Sequence, residues 1–393
     1  MLRIAIIGCG KVADQHVGAI HRIPNCRIVS VCDRELLMAK QLGERFHISE
    51  CFSDVQEMLQ STHPQVVHIT TPPQSHFQLA KQCLEFGSHV YLEKPFTVTA
   101  EQAEALIEFA ERRGLKMTAG HNYQFTLEML EMRRLAKAGF LGGKPVHLES
   151  YWSYDLGDIS YVGPVLGNPA HWVRRLPGQL FHNIISHGLA KLVEFLDDEL
   201  TEIIVTAHQS SQLRLLGAKE VLDELRVLIR DKSDTTALFC FSTQVKNLNQ
   251  LRIYGPSGSI TADIIAGTVV RKENRAYKSY LTYFLPPLKD AREYLRNASV
   301  NVINFLRQRL HQDFGMKELI QRFYQSIQGE TPVPVPYREI ILTARLMDQI
   351  FAQIYADKEA QECHNEVDRV HSDGRLSLAR GGITDRTGRS ASS

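Results

Sequence analysis

At 393 residues the chain has room for two domains, each able to bury a core of its own. Its 45 basic and 44 acidic side chains leave a formal net charge of +1, which excludes an overall nucleic-acid surface. Seven cysteines (9, 26, 32, 51, 83, 240 and 363) are odd in number and lack paired metal spacing, so we expect reduced thiols in a cytoplasmic protein, with no disulfide framework and no metal site. No apolar stretch has the length of a membrane span. Ile6-Ile7-Gly8-Cys9 resembles a lipoprotein box, but the short stretch ahead of Cys9 leads us to expect no signal peptide.

Leu2-Arg3-Ile4-Ala5-Ile6-Ile7 reads as a buried parallel strand, and Gly8-Cys9-Gly10-Lys11-Val12-Ala13 as the turn into a helix. Gly8 permits the turn, Gly10 lets a phosphate approach the backbone, and Ala13 lets the helix lie close on the strand. The exposed N–H groups and dipole of that helix suit a pyrophosphate. A second strand, Arg27 to Cys32, ends in Asp33, whose carboxylate suits the two ribose hydroxyls of NAD and repels the 2′-phosphate of NADP. Arg34 beside it could stack on adenine or meet a phosphate. The plainer reading of Asp33 is a cap for the helix that begins near Glu35.

Strand and helix then alternate. Helices are predicted over Asp14 to His21, Glu35 to Phe46, Ser53 to Leu59, Ser75 to Phe86 and Thr99 to Arg113. Strands are predicted over Val66 to Thr70, His89 to Leu92 and Lys116 to Gly120. Such a doubly wound sheet binds ligands beyond the carboxyl ends of its strands, where Gly8, Asp33, Thr71, Glu93 and His121 sit. After about Tyr123 longer alternating strands predominate: Val146 to Trp152, Glu202 to Ala207, Thr236 to Phe241, and a hairpin from Leu251 to Ile260. The predicted architecture is α/β followed by α+β. A Rossmann domain with helices on both faces spans 1–122, and an open, mainly antiparallel sheet spans 123–357. One face of that sheet should carry helices and the other could pack against a second subunit.

Residues 269–313 form a basic, aromatic-rich stretch with Arg271, Lys272, Lys289, Arg292 and Arg296 among its cations. A packed helical excursion with a solvated face is preferred here. The alternative is an amphipathic segment on an anionic membrane or on a phosphate. Residues 360–393 are polar and expected to be disordered.

The chain resembles the Gfo/Idh/MocA oxidoreductases, named for glucose–fructose oxidoreductase and inositol dehydrogenase, over about residues 1 to 357. Glu93-Lys94-Pro95 at a strand end, the Gly8-to-Ala13 turn and Thr71-Pro72-Pro73-Gln74-Ser75-His76 carry the resemblance. So do Gly120-His121-Asn122-Tyr123-Gln124-Phe125, where the family usually has Arg in place of Gln124, and Phe323-Tyr324 through Pro332 with a closing helix over 337–357. The resemblance implies a cis bond before Pro95 that turns Lys94 toward a nicotinamide. It also implies that Lys11, Val12, Pro72, His76 and Asn122 join Gly8, Gly10, Asp33, Arg34, Thr71, Glu93 and Lys94 around the cofactor.

Lys94 would then hydrogen-bond a substrate hydroxyl and lower its pKa as hydride leaves. The family's Asp-x-x-x-His signature falls on Asn183 and His187, one helical turn apart. Asn can orient but not accept a proton, so the role of base passes to His187, or to Lys94 with His187 as relay, with an ionisation around 6 to 7. His182 reads as a cap or a satisfied polar residue. Tyr123, Trp152 and Trp172 suit the faces of a sugar, and Arg174 a phosphate or carboxylate, unless these belong to a solvated loop. The implied activity is NAD(P)-dependent hydride transfer at a secondary alcohol of a sugar, cyclitol or nucleotide sugar by a homo-oligomer. The alternative is a protein that binds NAD and carbohydrate with no net redox turnover.

Overall fold

The computed structural model describes residues 1–156, 163, 167, 168, 170–215, 221–307, 309 and 314–355. The expected tail over 360–393 and the end of the 269–313 stretch lie outside the described residues.

Six parallel strands, β1 (Leu2–Ile7), β2 (Cys26–Cys32), β3 (Cys51–Phe52), β4 (Val66–Ile69), β5 (His89–Leu92) and β6 (Met117–Ala119), lie in the order β3-β2-β1-β4-β5-β6. Strand order reverses between β1 and β4, so the crevice opens where those two strands end. Both are flanked by neighbours and covered on both faces, so β4 is buried throughout and β1 everywhere except Arg3. Helices α1 (Lys11–Ile20), α2 (Leu36–Phe46), α3 (Val55–Thr62), α4 (His76–Phe86) and α5 (Ala100–Arg112) connect the strands. Asp54 caps α3 by accepting from Glu57 N at 2.8 Å, Thr99 caps α5, and α4 ends on left-handed Gly87. The two-residue β3 was not foreseen; it is too short for a hydrophobic pattern.

Beyond α6 (Leu127–Lys137) come β7 (His147–Ser153), α7 (Gln179–Ile184), α8 (Ser186–Val193), β8 (Leu200–His208) and α9 (Ser211–Leu215). They are followed by β9 (Glu224–Asp231), β10 (Thr236–Ser242), β11 (Asn249–Tyr254), β12 (Gly258–Asp263) and β13 (Thr268–Glu273). The second sheet has the order β13-β12-β11-β7-β10-β9-β8 and is antiparallel except where β7 and β10 run parallel. Leu148, Phe239, Leu251 and Ile253 pack from one face into a core with Phe181 and Leu189 of α7 and α8. The opposite face presents Glu149, Tyr151 and Arg252, with Ile204 and Leu228 exposed.

One expectation changes. The segment 269–313 is not one excursion: its start is β13, the sheet's edge strand, and a helix α10 (Leu281–Leu306) follows. The solvated face of α10, moreover, is its apolar one. Asn297 is its buried residue, while Phe284, Leu288, Leu295 and Phe305 face outward. The next helix, α11 (Phe314–Ile327), returns to the first domain, where Met316, Leu319, Ile320 and Phe323 complete the Rossmann core. A last helix, α12, runs over residues 337–355.

Candidate active site

The turn after β1 brings two backbones together. Gly8 has φ +92°, and a Cβ there would lie 2.7 Å from Thr71 Cγ2 and 2.9 Å from Thr71 N, so only glycine fits against the turn after β4. A Cβ at Gly10 would meet nothing within 4 Å, so this turn faces open space, with Lys11 and Val12 exposed on the first turn of α1. A backbone cradle at a helix N-terminus fits a pyrophosphate. Asp33 Oδ2 accepts from Cys9 N (2.8 Å) inside the cradle, and Oδ1 accepts from Glu35 N (3.0 Å) ahead of α2, whose N-cap is Glu35 without a side-chain cap bond. Arg34 is exposed and reaches only toward Glu35, at 3.9 Å. Thr71 is half-buried with its hydroxyl 2.7 Å from Ser75 Oγ, and Pro72 is exposed beside it.

His76 departs from the expectation that it touches the cofactor. It is fully buried, and its ring bridges Thr71 O (2.8 Å) to the carbonyls of Pro95 and Phe96 (both 3.1 Å). It therefore braces the crevice wall. The Lys94–Pro95 peptide is cis, as expected.

Beneath Lys94 lies a buried chain of polar groups. Tyr324 of α11 donates to His68 Nε2 (2.9 Å), His68 Nδ1 meets His16 Nδ1 (2.8 Å), and His16 Nε2 meets Glu93 Oε1 (2.9 Å). One direction of donation, from Tyr324 toward Glu93, satisfies every link. Burial drives His68 well below the ordinary histidine value, which keeps that ring neutral. Burial alone would raise the Glu93 carboxyl, but the His16 hydrogen bond and the charge on Lys94 hold it below its usual value. A Cβ at position 120 would fall 2.6 Å from Glu93 Oε1, so Gly120 makes room for the carboxylate.

Above that chain, Lys94 Nζ donates to the backbone carbonyl of Asn183 at 3.0 Å, joining the two domains at the crevice. Desolvation lowers the Lys94 pKa against the pull of Glu93. Asn183 is buried near the end of α7, and a turn at Ile185 separates it from His187 on α8, so the signature spans a break between two helices. His187 stacks on Trp152 (centroids 5.4 Å apart, 22°), meets the Tyr123 ring at 4.8 Å and lies 6.3 Å from His121. The Nδ1 atom of His187, both ring nitrogens of His121 and Trp152 Nε1 are buried with no partner among the described residues. Burial and the charges of Lys94 and Lys191 push His187 well below 6.5, which corrects the expected ionisation around 6 to 7. Burial likewise takes His121 to about 4.

Asn122 is half-buried in the helical turn Asn122–Phe125, its carbonyl packed on Gly315. Trp172 lies in the turn Trp172–Arg175, and its carbonyl accepts from Gln74 Nε2 (2.8 Å), which draws that turn toward the β4 end. Arg174 is half-buried in the same turn. Parts of the aromatic loop between Asp155 and Asn168, with Pro169, lie outside the described residues. His182 is away from the cluster, stacked on Phe351 at 5.0 Å with the Thr97 backbone acting on its ring.

Sequence reasoning missed Lys191. It is fully buried one turn beyond His187, donates to Asn249 Oδ1 (2.6 Å) and sits 5.1 Å over the Trp152 ring, and burial lowers its pKa to about 7. The available signal was a lysine inside the apolar run Leu189-Ala190-Lys191-Leu192-Val193. Gln124, where the family usually has Arg, donates to Glu339 Oε2 (3.2 Å). Burial and the charge of Glu194 raise Glu339 to about 7 against the pull of Gln124, Arg133 and Arg338.

Residues 2–121 match the oxidoreductase family described as GFO_IDH_MocA, with an NAD-binding Rossmann fold. The match spans the first domain, and the likeness to the Gfo/Idh/MocA oxidoreductases rests there. The chain is 34% identical over 142 residues to D-glucoside 3-dehydrogenase of Escherichia coli, a match spanning 36% of this chain and 40% of that protein. It is 21% identical over 297 residues to myo-inositol 2-dehydrogenase of Thermotoga maritima, spanning 74% and 84% respectively. The WlbA dehydrogenase of Bordetella pertussis, solved with NADH and UDP-GlcNAcA, shares the fold at a TM-score of 0.70 and 16% identity, covering 89% of this chain and 94% of that one. Among the described residues no helix is long and apolar enough to cross a membrane.

Proposed function

We propose that this chain is a Gfo/Idh/MocA-type NAD-dependent dehydrogenase of a secondary alcohol on a sugar, cyclitol or nucleotide sugar. The observation that carries this reading is the meeting of Lys94, Asn183 and His187 at the crevice, walled by Tyr123 and Trp152. Gly8, Gly10 and the start of α1 would hold the pyrophosphate and Asp33 the ribose, which favours NAD over NADP. Bound there, nicotinamide supplies the hydride acceptor.

Lys94 keeps an N–H free of its bond to Asn183 and presents it to the substrate oxygen, favouring the alkoxide as the carbinol is oxidised. His187, held neutral by desolvation and nearby cations, takes the proton. Asn183 fixes Lys94 through its carbonyl; its amide has no capacity to accept a proton in the aspartate's stead. The flat faces of Tyr123 and Trp152 suit a sugar ring, and the unpartnered Trp152 Nε1 is a donor for one of its hydroxyls. The exposed face of the second sheet would join subunits.

The experiment is a screen of sugars, cyclitols and nucleotide sugars that follows NADH absorbance. Turnover with one class supports the reading. Tightly retained nicotinamide with no NADH formation on any alcohol would favour a redox-neutral role.

A further inference from the structure

Helix α10 is docked the opposite way round from an ordinary surface helix, with its polar side on the protein and its apolar side outward. Arg271 pairs with Glu293 (2.6 Å), Lys272 with Asp290 (2.8 Å) and Lys289 with Glu273 (3.0 Å). Asn297 accepts from Val269 N and donates to Val269 O, both at 2.9 Å, and Asn301 donates to Gly267 O at 2.9 Å. These contacts with β13 and the turn before it fix the rotation of the helix about its axis. On the far side Phe284 (63%), Leu288 (66%), Leu295 (70%), Val302 (58%), Phe305 (70%) and Leu306 (73%) are exposed. The helix is 26 residues long, about 39 Å, so this is a continuous apolar stripe of a kind that soluble surfaces rarely leave uncovered.

Charge selects what covers it. Lys278 ahead of α10, Arg292 on it and Arg307 at its end are exposed and have no ion pair among the described residues. The two carboxylates of α10, Asp290 and Glu293, are already paired on the docked side. A second copy of the helix would set cation against cation with no carboxylate to answer them. The chain's own residues 356–393 carry only Val367, Val370, Leu376, Leu378 and Ile383 as large apolar side chains, too few to fill the stripe.

We propose that α10 is a membrane-surface anchor that lies in the plane of an anionic phospholipid bilayer. Its Phe and Leu side chains enter the acyl boundary, and Lys278, Arg292 and Arg307 meet headgroup phosphates. Tyr280, Tyr283 and Tyr294, all exposed, lie where amphipathic rings favour the headgroup level.

The test is flotation of the full-length protein with phosphatidylcholine vesicles, with and without phosphatidylglycerol. Binding should require the anionic lipid and weaken with salt. The double variant Leu288→Asp/Leu295→Asp should lower the bound fraction about tenfold or more, and Arg292→Glu about fivefold. Because these residues are exposed, the melting temperature should not move, which separates lost binding from lost folding. No binding to anionic vesicles, or binding that survives the double variant, overturns the proposal. So does a dimer in lipid-free solution that the same double variant dissolves, since the stripe would then belong to a second copy.

Discussion

Two buried polar clusters lie back to back across Lys94, and they are built on opposite principles. Behind it, Tyr324, His68, His16 and Glu93 form a chain in which each link is paired. In front, His121, His187 and Trp152 keep ring nitrogens that no group among the described residues satisfies. Burying a polar atom without a partner costs free energy, so a fold tolerates it where a ligand completes the bonding. The first cluster holds the strand end in place; the second is the one that the proposed substrate would complete.

Substitutions should separate the two. Lys94→Ala is expected to lower turnover by a factor on the order of 10²–10⁴, the usual contribution of a positioned proton-transfer group. Titration calorimetry should find NAD affinity little changed. Tyr324→Phe should do the reverse. It strands His68 Nε2 in the core, costs roughly 1–3 kcal/mol of stability and lowers the melting temperature while activity persists. If Tyr324→Phe cost turnover at unchanged stability, the rear chain would be catalytic and the contrast would fail.

Outside both clusters, Glu339 offers a pH-dependent handle. Its folded value of about 7 lies above that of an unfolded glutamate, so the native state binds the extra proton and stability falls as pH rises from about 4.5 to 7. Glu339→Gln should raise the melting temperature at pH 8 and change it little at pH 4. The smallest effect is on cofactor choice. Asp33→Ala should shrink the preference for NAD over NADP about tenfold by removing a charged acceptor, as judged by the ratio of the two dissociation constants. Tighter binding of NADP by the unaltered protein would contradict the role given to Asp33.

Much of this was legible in the chain. The Gly8-to-Ala13 turn, Asp33, the Glu93-Lys94-Pro95 strand end and the Asn183/His187 pair are local patterns, and the fold brings them together at one crevice. What depends on distant packing was not legible. His76 carries the family motif, yet its burial against Pro95 and Phe96 shows only in three dimensions. The pairing of Lys191 with Asn249 and Trp152 joins residues far apart in sequence, and so does the seating of α11 in the first core. The periodicity of α10 was readable, but not which of its sides met the protein, because Arg271, Lys272 and Gly267 set its rotation.

The most direct test of the front cluster is the pH profile of kcat/KM for alcohol oxidation, once a substrate is in hand, for the unaltered protein, His187→Asn and Asn183→Asp. The groups facing His187 include Lys94, His121 and Lys191, and with burial they push its ionisation well below 6.5. The rate should therefore fall only on the acid side of that value. His187→Asn should abolish the acid limb with most of the rate, and Asn183→Asp should move the limb upward by stabilising the imidazolium. An acid limb above 6.5 that persists in His187→Asn would contradict the assignment of His187 as the base.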